Sequence, residues 1–211
     1  MSFTLATGAY TPADAARVLG VKPQRIANLA WRHWWGDGYS ELGDVRSLDF
    51  YTLMELRTYL ALREAGVSGQ RIHKARRELI EDFRLERPFA NRRVLEGLRT
   101  DGSTIYFEVD GRPLSLNGTK QFNLEVIRSF MSDVDFGEDG LAERYTPSRG
   151  QGSVVLDPRI NLGRPVVRGT RIEAAVLAQM HKAGDSIELI ADAYDLDVED
   201  VEHAIDYAMA A

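Results

Sequence analysis

The chain has 211 residues, 44% of them hydrophobic and 27% charged, with a formal net charge of −6, the make-up of a globular protein holding one large domain or two to three small ones. It contains no cysteine, which excludes a disulfide framework and thiolate metal sites, and no apolar run approaches the roughly 20 residues that cross a bilayer. The first ten residues have no basic stretch ahead of their apolar ones and do not read as a secretory signal, so a soluble, cytoplasmic protein without a membrane partner is expected. The charge is unevenly spread: residues 1–100 carry +4 and residues 101–211 carry −10, an asymmetry that suggests two tasks with different partners.

Residues 1–84 read as helical. Thr11-Pro12-Ala13-Asp14 joins a capping threonine, a proline at the first helical position and an acid three residues after the cap. Gly20 stops that helix. A second helix is predicted over about residues 22–33, followed by a Gly/Asp-rich loop (Gly36-Asp37-Gly38, Gly43-Asp44) and a short segment at 47–50. Phe50, Leu53, Leu56 and Leu60 mark a third helix ending at Gly66, and Ile72, Ala75, Leu79 and Phe83 a fourth, capped by Ser68.

Residues 85–150 read as an α+β connecting region. Residues 104–109 and 112–116 suit a hairpin across Asp110-Gly111, with Pro113 confining the second strand to a sheet edge. A short helix is expected at 124–131, and the Gly-, Ser- and Pro-rich stretch 137–153 reads as a linker. Residues 151–211 open irregularly and continue as three short helices. Ile172, Val176 and Met180 share a face closed by Gly184. Ile187, Ile190 and Tyr194 face inward after a Ser186 cap, and Val198, Val201, Ile205 and Ala208 after an Asp197 cap. The predicted fold class is mainly α with a small β-hairpin or wing.

A helix-turn-helix needs a small residue where its helices approach, a glycine for a left-handed turn and an apolar residue inside the second helix. Ala16, Gly20 and Ile26 have the usual spacing, with Leu19, Val21 and Leu29 as further core positions. The outward positions of the second helix are Lys22, Gln24, Arg25, Asn28 and Arg32, with no acid among residues 22–32; all five residue types bond base edges or phosphates. A recognition helix enters the major groove by its N-terminal end, which puts Lys22, Gln24 and Arg25 nearest the bases.

The string Tyr10-Thr11-Pro12-Ala13-Asp14-Ala15-Ala16-Arg17-Val18-Leu19-Gly20-Val21, the basic helix, Phe50-Tyr51-Thr52-Leu53-Met54-Glu55-Leu56 and Leu62-Arg63-Glu64-Ala65-Gly66-Val67-Ser68 together resemble the MerR-type winged helix-turn-helix. The resemblance implies a domain over residues 1–84 that binds double-stranded operator DNA, with a wing between 36 and 47 and Arg46 as its phosphate contact. Trp31, Trp34 and Trp35 stand where that family usually has arginine and tyrosine; they either pack the wing onto the helix or stack on a sugar. Arg71, Lys74, Arg76 and Arg77 are further backbone-contact candidates, or simply a solvated face.

The same spacing recurs at Ala191, Asp195 and Val201, aspartate being tolerant of a left-handed turn. Yet the second helix there carries Glu199, Asp200, Glu202 and Asp206, and from Ile172 onward Lys182 alone faces ten acids. Phosphates would repel it, so this three-helix unit suits protein contact, by self-association or with a basic partner. Just before it, Asp157-Pro158, Gly163, Pro165 and Val167-Arg168-Gly169-Thr170-Arg171-Ile172 resemble the signature of a small bacterial domain family long catalogued as of unknown function and commonly encoded beside PIN-type toxin ribonucleases. With the MerR-like start, the chain resembles one branch of VapB-type antitoxins. That resemblance implies a PIN-type toxin protein as partner. Such ribonucleases hold Mg²⁺ or Mn²⁺ in a carboxylate cluster, which an inserted arginine fork can occupy bidentately. Arg164, Arg168 and Arg171 are the toxin-binding candidates; the rival reading has them tying the irregular segment to acids of the following helices.

His33, His73, His181 and His203 have no metal-ligand spacing and no nucleophile motif nearby, and Gly36-Asp37-Gly38 lacks the flanking strand and helix of a phosphate loop. No enzymatic activity, cofactor or metal is expected. The expectation is an antitoxin that neutralises a PIN-type ribonuclease and represses its own operon as a homodimer, since one helix-turn-helix reads only a half-site. The alternative is a MerR-like ligand-sensing regulator, with Tyr106, Phe107 and Phe122 lining a pocket in 85–150.

Overall fold

The computed structural model describes residues 7–33, 39–42, 45–100, 105–109, 111–115, 131–147 and 150–210. Helix α1 (Pro12–Leu19) starts where its sequence dictates. The Thr11 hydroxyl accepts from the Asp14 amide and the Asp14 carboxylate accepts from the Thr11 amide, both at 3.1 Å, which satisfies two end amides reciprocally. It ends at Gly20, whose φ of 65° belongs to the left-handed region open to glycine. Helix α2 (Pro23–His33) buries Ile26 and Ala30 against α1, which offers Ala15 and Ala16. Strands β1 (Tyr39–Leu42) and β2 (Val45–Leu48) pair antiparallel, Tyr39 opposite Leu48 and Leu42 opposite Val45.

Helix α3 (Phe50–Glu64) is capped by Asp49, which accepts from the Thr52 amide at 2.7 Å. It is buried nearly all round, so it forms the axis of the first core. Helix α4 (Gly69–Glu81) begins after Ser68, whose side chain makes no cap bond, contrary to expectation. Between α3 and α4 lies a buried ion pair. Glu55 is fully buried, and its carboxylate accepts from Nε and Nη2 of Arg76 at 3.2 and 2.8 Å and from the Phe89 amide at 3.3 Å.

A 3₁₀ turn (Pro88–Ala90) and helix α5 (Arg92–Glu96) lead into a three-stranded antiparallel sheet, β3 (Leu98–Thr100), β4 (Ile105–Val109) and β5 (Arg112–Ser115), in that spatial order. Val109 pairs with Arg112, so the connection is two residues long, and the strand holding Pro113 lies at the edge. The expected helix at 124–131 falls, but for Met131, outside the described residues. The described residues of the stretch 137–153, expected as a linker, are built into the fold. Strand β6 (Val134–Phe136) pairs with β7 (Ala142–Tyr145), and Ala142 and Tyr145 are buried. Gly137 and Gly140 lie in the turn of this hairpin, where the Gly140 amide donates to the Gly137 carbonyl at 3.0 Å.

Two hydrophobic clusters result. The first joins Tyr10 and α1–α4 to Phe89, Val94, Leu95, Phe107, Val134, Ala142, Tyr145 and Leu156, so the middle of the chain packs on the N-terminal helices. The second lies among β8 (Val154–Val155), β9 (Val166–Val167), α6 (Ala174–Ala183), α7 (Ile187–Tyr194) and α8 (Val198–Met209). Gly184 closes α6 with φ 111° and Asp195 closes α7 with φ 54°. Of the stripe expected on α6, Ile172 and Met180 pack on this core beside the buried Ala174, Leu177 and Ala178, while Val176 is exposed; Ile172 precedes the helix, so a helical count of four from it misses the buried face. Val198, in the first turn of α8, is also exposed, and Leu196 packs on the core instead. The architecture is mainly helical with small antiparallel hairpins.

Candidate nucleic-acid and partner-binding surfaces

Helix α2 presents Gln24, Arg25, Asn28 and Arg32 to solvent, away from the buried Ile26 and Ala30, and Lys22 is exposed just before its first turn. The Gln24 amide donates to the Asn28 side-chain oxygen at 3.1 Å, which holds two potential base-reading groups side by side, and no acid interrupts the surface. Arg46 on β2 is exposed, and its guanidinium carbon lies 5.0 Å from the centre of the half-exposed Trp31 ring, a cation–π contact that ties the hairpin to α2. Trp34 and Trp35, and the loop residues 36–38 and 43–44, fall outside the described residues.

Of the four basic residues on α4, Arg71, Lys74 and Arg77 are exposed and Arg76 is buried. Arg76 is therefore no phosphate contact: its fork is committed to Glu55. The C-terminal end of α2 is anchored by ring stacking, His33 on His73 of α4 with centroids 3.4 Å apart and Tyr59 5.0 Å beyond. Burial, with the charges of His33, Arg76 and Arg77, lowers the His73 pKa to about 4, and burial beside Arg32 and Arg76 lowers that of His33. The unfolded chain thus binds protons before the folded one does. The contribution of His73 to stability is complete above about pH 6.5 and is lost as pH falls towards 4. Urea midpoints measured across that window should rise with pH, and His73→Phe should flatten the rise; an unchanged slope would remove this pair from the account.

Phe107, one of the aromatics assigned to a pocket in the sensor alternative, has no exposed surface and packs 5.8 Å from Phe89. Tyr106 is half-buried on β4, and Phe122 lies outside the described residues.

The irregular segment 156–172 is held by polar groups. Burial opposes ionisation of Asp157, but hydrogen bonds from the Arg159 side chain and backbone, with the charges of Arg159 and Arg144, keep its carboxyl below the usual range. Arg159 donates through Nε at 2.8 Å and through Nη2 at 2.6 Å, and it also pairs with Glu143. Arg159, which the sequence did not single out, is thus a structural clamp, and its closeness to Asp157 was the available signal. The three nominated arginines differ. Arg164 is exposed and touches Glu173 at 3.4 Å. Arg168 donates to the Gly152 carbonyl at 2.6 Å and to the Thr146 hydroxyl at 3.2 Å. Arg171 is exposed, and its guanidinium has no hydrogen-bond or ion-pair partner among the described residues.

Two long-range contacts join this segment to the N-terminal half: the Ala9 amide donates to the Leu162 carbonyl at 2.9 Å and the Tyr10 hydroxyl to the Gly163 carbonyl at 2.8 Å. Tyr10 in turn exchanges backbone hydrogen bonds with Leu48 of β2 at 2.9 and 2.8 Å. Beyond the segment, Glu199, Glu202 and Asp206 of α8 are exposed. Among the described residues no group of acidic, histidine or cysteine side chains is arranged to hold a metal ion, and no helix is long and apolar enough to cross a membrane.

The chain superposes with a TM-score of 0.70 on the crystal structure of Rv2018 from Mycobacterium tuberculosis, covering 93% of this chain and 96% of that one at 24% identity, a likeness of fold. Residues 154–208 match the family described as "Protein of unknown function (DUF433)". Over 96% of its length, and 94% of the relative's, the chain is 27% identical to the Mycobacterium tuberculosis protein named "Putative antitoxin VapB45".

Proposed function

We propose that this chain is an antitoxin that binds operator DNA through its N-terminal half and a PIN-type ribonuclease through its C-terminal part. The observation that carries the DNA-binding half is the exposed, acid-free surface of α2 in the basic half of an otherwise acidic chain. In this reading residues 1–84 form a MerR-like winged helix-turn-helix, 85–150 connect, and 151–211 meet the toxin or a second copy. Lys22, Gln24 and Arg25 at the start of α2 read base edges, Asn28 and Arg32 follow, and Arg46 on the β1–β2 wing grips a phosphate. Two copies read paired half-sites. The acidic α8 is unsuited to DNA, which leaves the segment 157–172 and its arginines for the ribonuclease.

The DNA arm is tested by titrating the full chain with DNA from its own promoter. Arg25→Ala should cost about 1–3 kcal/mol, roughly 5- to 150-fold in affinity, and Arg46→Ala should weaken binding to all sequences and reduce the salt slope by about 1. If Lys22→Ala and Arg25→Ala both bind like wild type, the surface is a solvated helix face and the chain does not act through DNA. The toxin arm is tested by co-expression with the product of the adjacent gene. A stable complex that relieves growth arrest supports it; no complex and no relief overturn it.

A further inference from the structure

Three consecutive residues adopt left-handed backbone conformations, Asn161 at φ 46°, Leu162 at 57° and Gly163 at 83°. Glycine and asparagine enter this region readily, whereas for a bulky residue it is an outlier. Positions 161 and 163 obey that preference and position 162 breaks it. The backbone there has reasons for its shape. The Leu162 carbonyl accepts from Ala9, the Gly163 carbonyl accepts from Tyr10, and the Asn161 side-chain amide donates to the Arg171 carbonyl at 2.8 Å. None of these bonds uses the side chain at 162. Burial does not account for it either, because Leu162 is 41% exposed. A glycine or asparagine would make the same turn with less strain, so what remains for the leucine is its exposed side chain.

The surroundings say what it meets. Residues 158–172 contain Arg159, Arg164, Arg168 and Arg171 and no acid, a basic island ahead of the acidic helices. All four are exposed, but Arg159 and Arg168 are held by short hydrogen bonds, whereas among the described residues Arg171, beside the turn through Asn161, is bonded only through its carbonyl and Arg164 only loosely paired with Glu173. We infer that Leu162 is the apolar anchor of the ribonuclease contact, seating in an apolar recess of the toxin whose rim carboxylates pair with Arg164 and Arg171. This rests on the antitoxin reading and names the residue that centres its interface. A second copy in that place is the alternative that the oligomeric state tests.

The test uses the full chain and a catalytically inactive form of the PIN-type ribonuclease encoded beside it, titrated by calorimetry. Leu162→Asn should melt at or above the wild-type temperature, because strain is relieved, yet bind at least tenfold more weakly; Leu162→Met should stay within threefold of wild type. Binding of Leu162→Asn within twofold of wild type overturns the inference while leaving the antitoxin reading intact. So does a lowered melting temperature, which would make the side chain structural, or a change of oligomeric state at unchanged toxin affinity. If wild type itself fails to bind the ribonuclease, the antitoxin reading falls and the anchor with it.

Discussion

Arg76→Ala is expected to destabilise the fold by about 3–5 kcal/mol, read as a lower urea midpoint at unchanged slope. The reason is what it leaves behind. Glu55 has no exposed surface, and without the guanidinium fork its carboxylate loses its counter-charge while still accepting from the Phe89 amide. A buried carboxylate without that counter-charge must take up a proton or admit water, and either is costly. The double variant Glu55→Met with Arg76→Leu removes both charges at similar volume and should recover most of the loss. The pair also sets where α4 lies on α3, and α4 carries His73, on which the end of α2 rests. On the proposed reading, Arg76→Ala should also lower DNA affinity, and a loss in urea below about 1 kcal/mol would show that the carboxylate finds water or another partner.

The contrast between Arg76 and its neighbours shows what the sequence could and could not yield. Arg71, Lys74, Arg76 and Arg77 look alike as a basic run, yet Arg76 stands four residues after Ile72 and three before Leu79, on the buried stripe of α4. The periodicity held that information. What it could not hold was the partner, Glu55, on another helix. Local features were legible for a physical reason: the Thr11–Asp14 capping box, the Gly20 stop, the two-residue connection between Val109 and Arg112 and the Pro113 edge are all decided within a few residues. Misreadings arose where composition stood in for geometry. The glycines of 137–153 signal a hairpin turn as readily as a linker, and only the burial of Ala142 and Tyr145 separates the two. The outward face of α2 was legible because exposed positions follow once the buried ones are fixed. The left-handed turn at 161–163 was not, since the bonds that hold it come from Ala9 and Tyr10 at the other end of the chain.

That distant contact carries the second large effect. Gly163 has φ 83°, and a methyl group added there would lie 2.0 Å from the Tyr10 oxygen and 2.7 Å from its Cζ. Tyr10 is buried between the two halves of the chain and has little room to retreat. Gly163→Ala should therefore cost roughly 1–2 kcal/mol for the left-handed backbone and about 1–3 more for the overpacking, again measured in urea. Tyr10→Phe alone forfeits only the hydroxyl bond, about 1 kcal/mol. In the double variant the closest clash is gone but the contact at Cζ remains, so the loss should be less than the sum of the singles without returning to wild type. A coupling of about 0.5–3 kcal/mol is the signature of groups in contact, and strict additivity would mean that the alanine is accommodated by moving the 161–163 turn and not Tyr10. The distinction reaches function, because Tyr10 is also bonded through its backbone to Leu48 of β2, two residues from Arg46. On the proposed reading, a clash that moves Tyr10 should make Gly163→Ala weaken DNA binding far from α2, whereas a moved turn should spare DNA binding and weaken the proposed contact centred on Leu162.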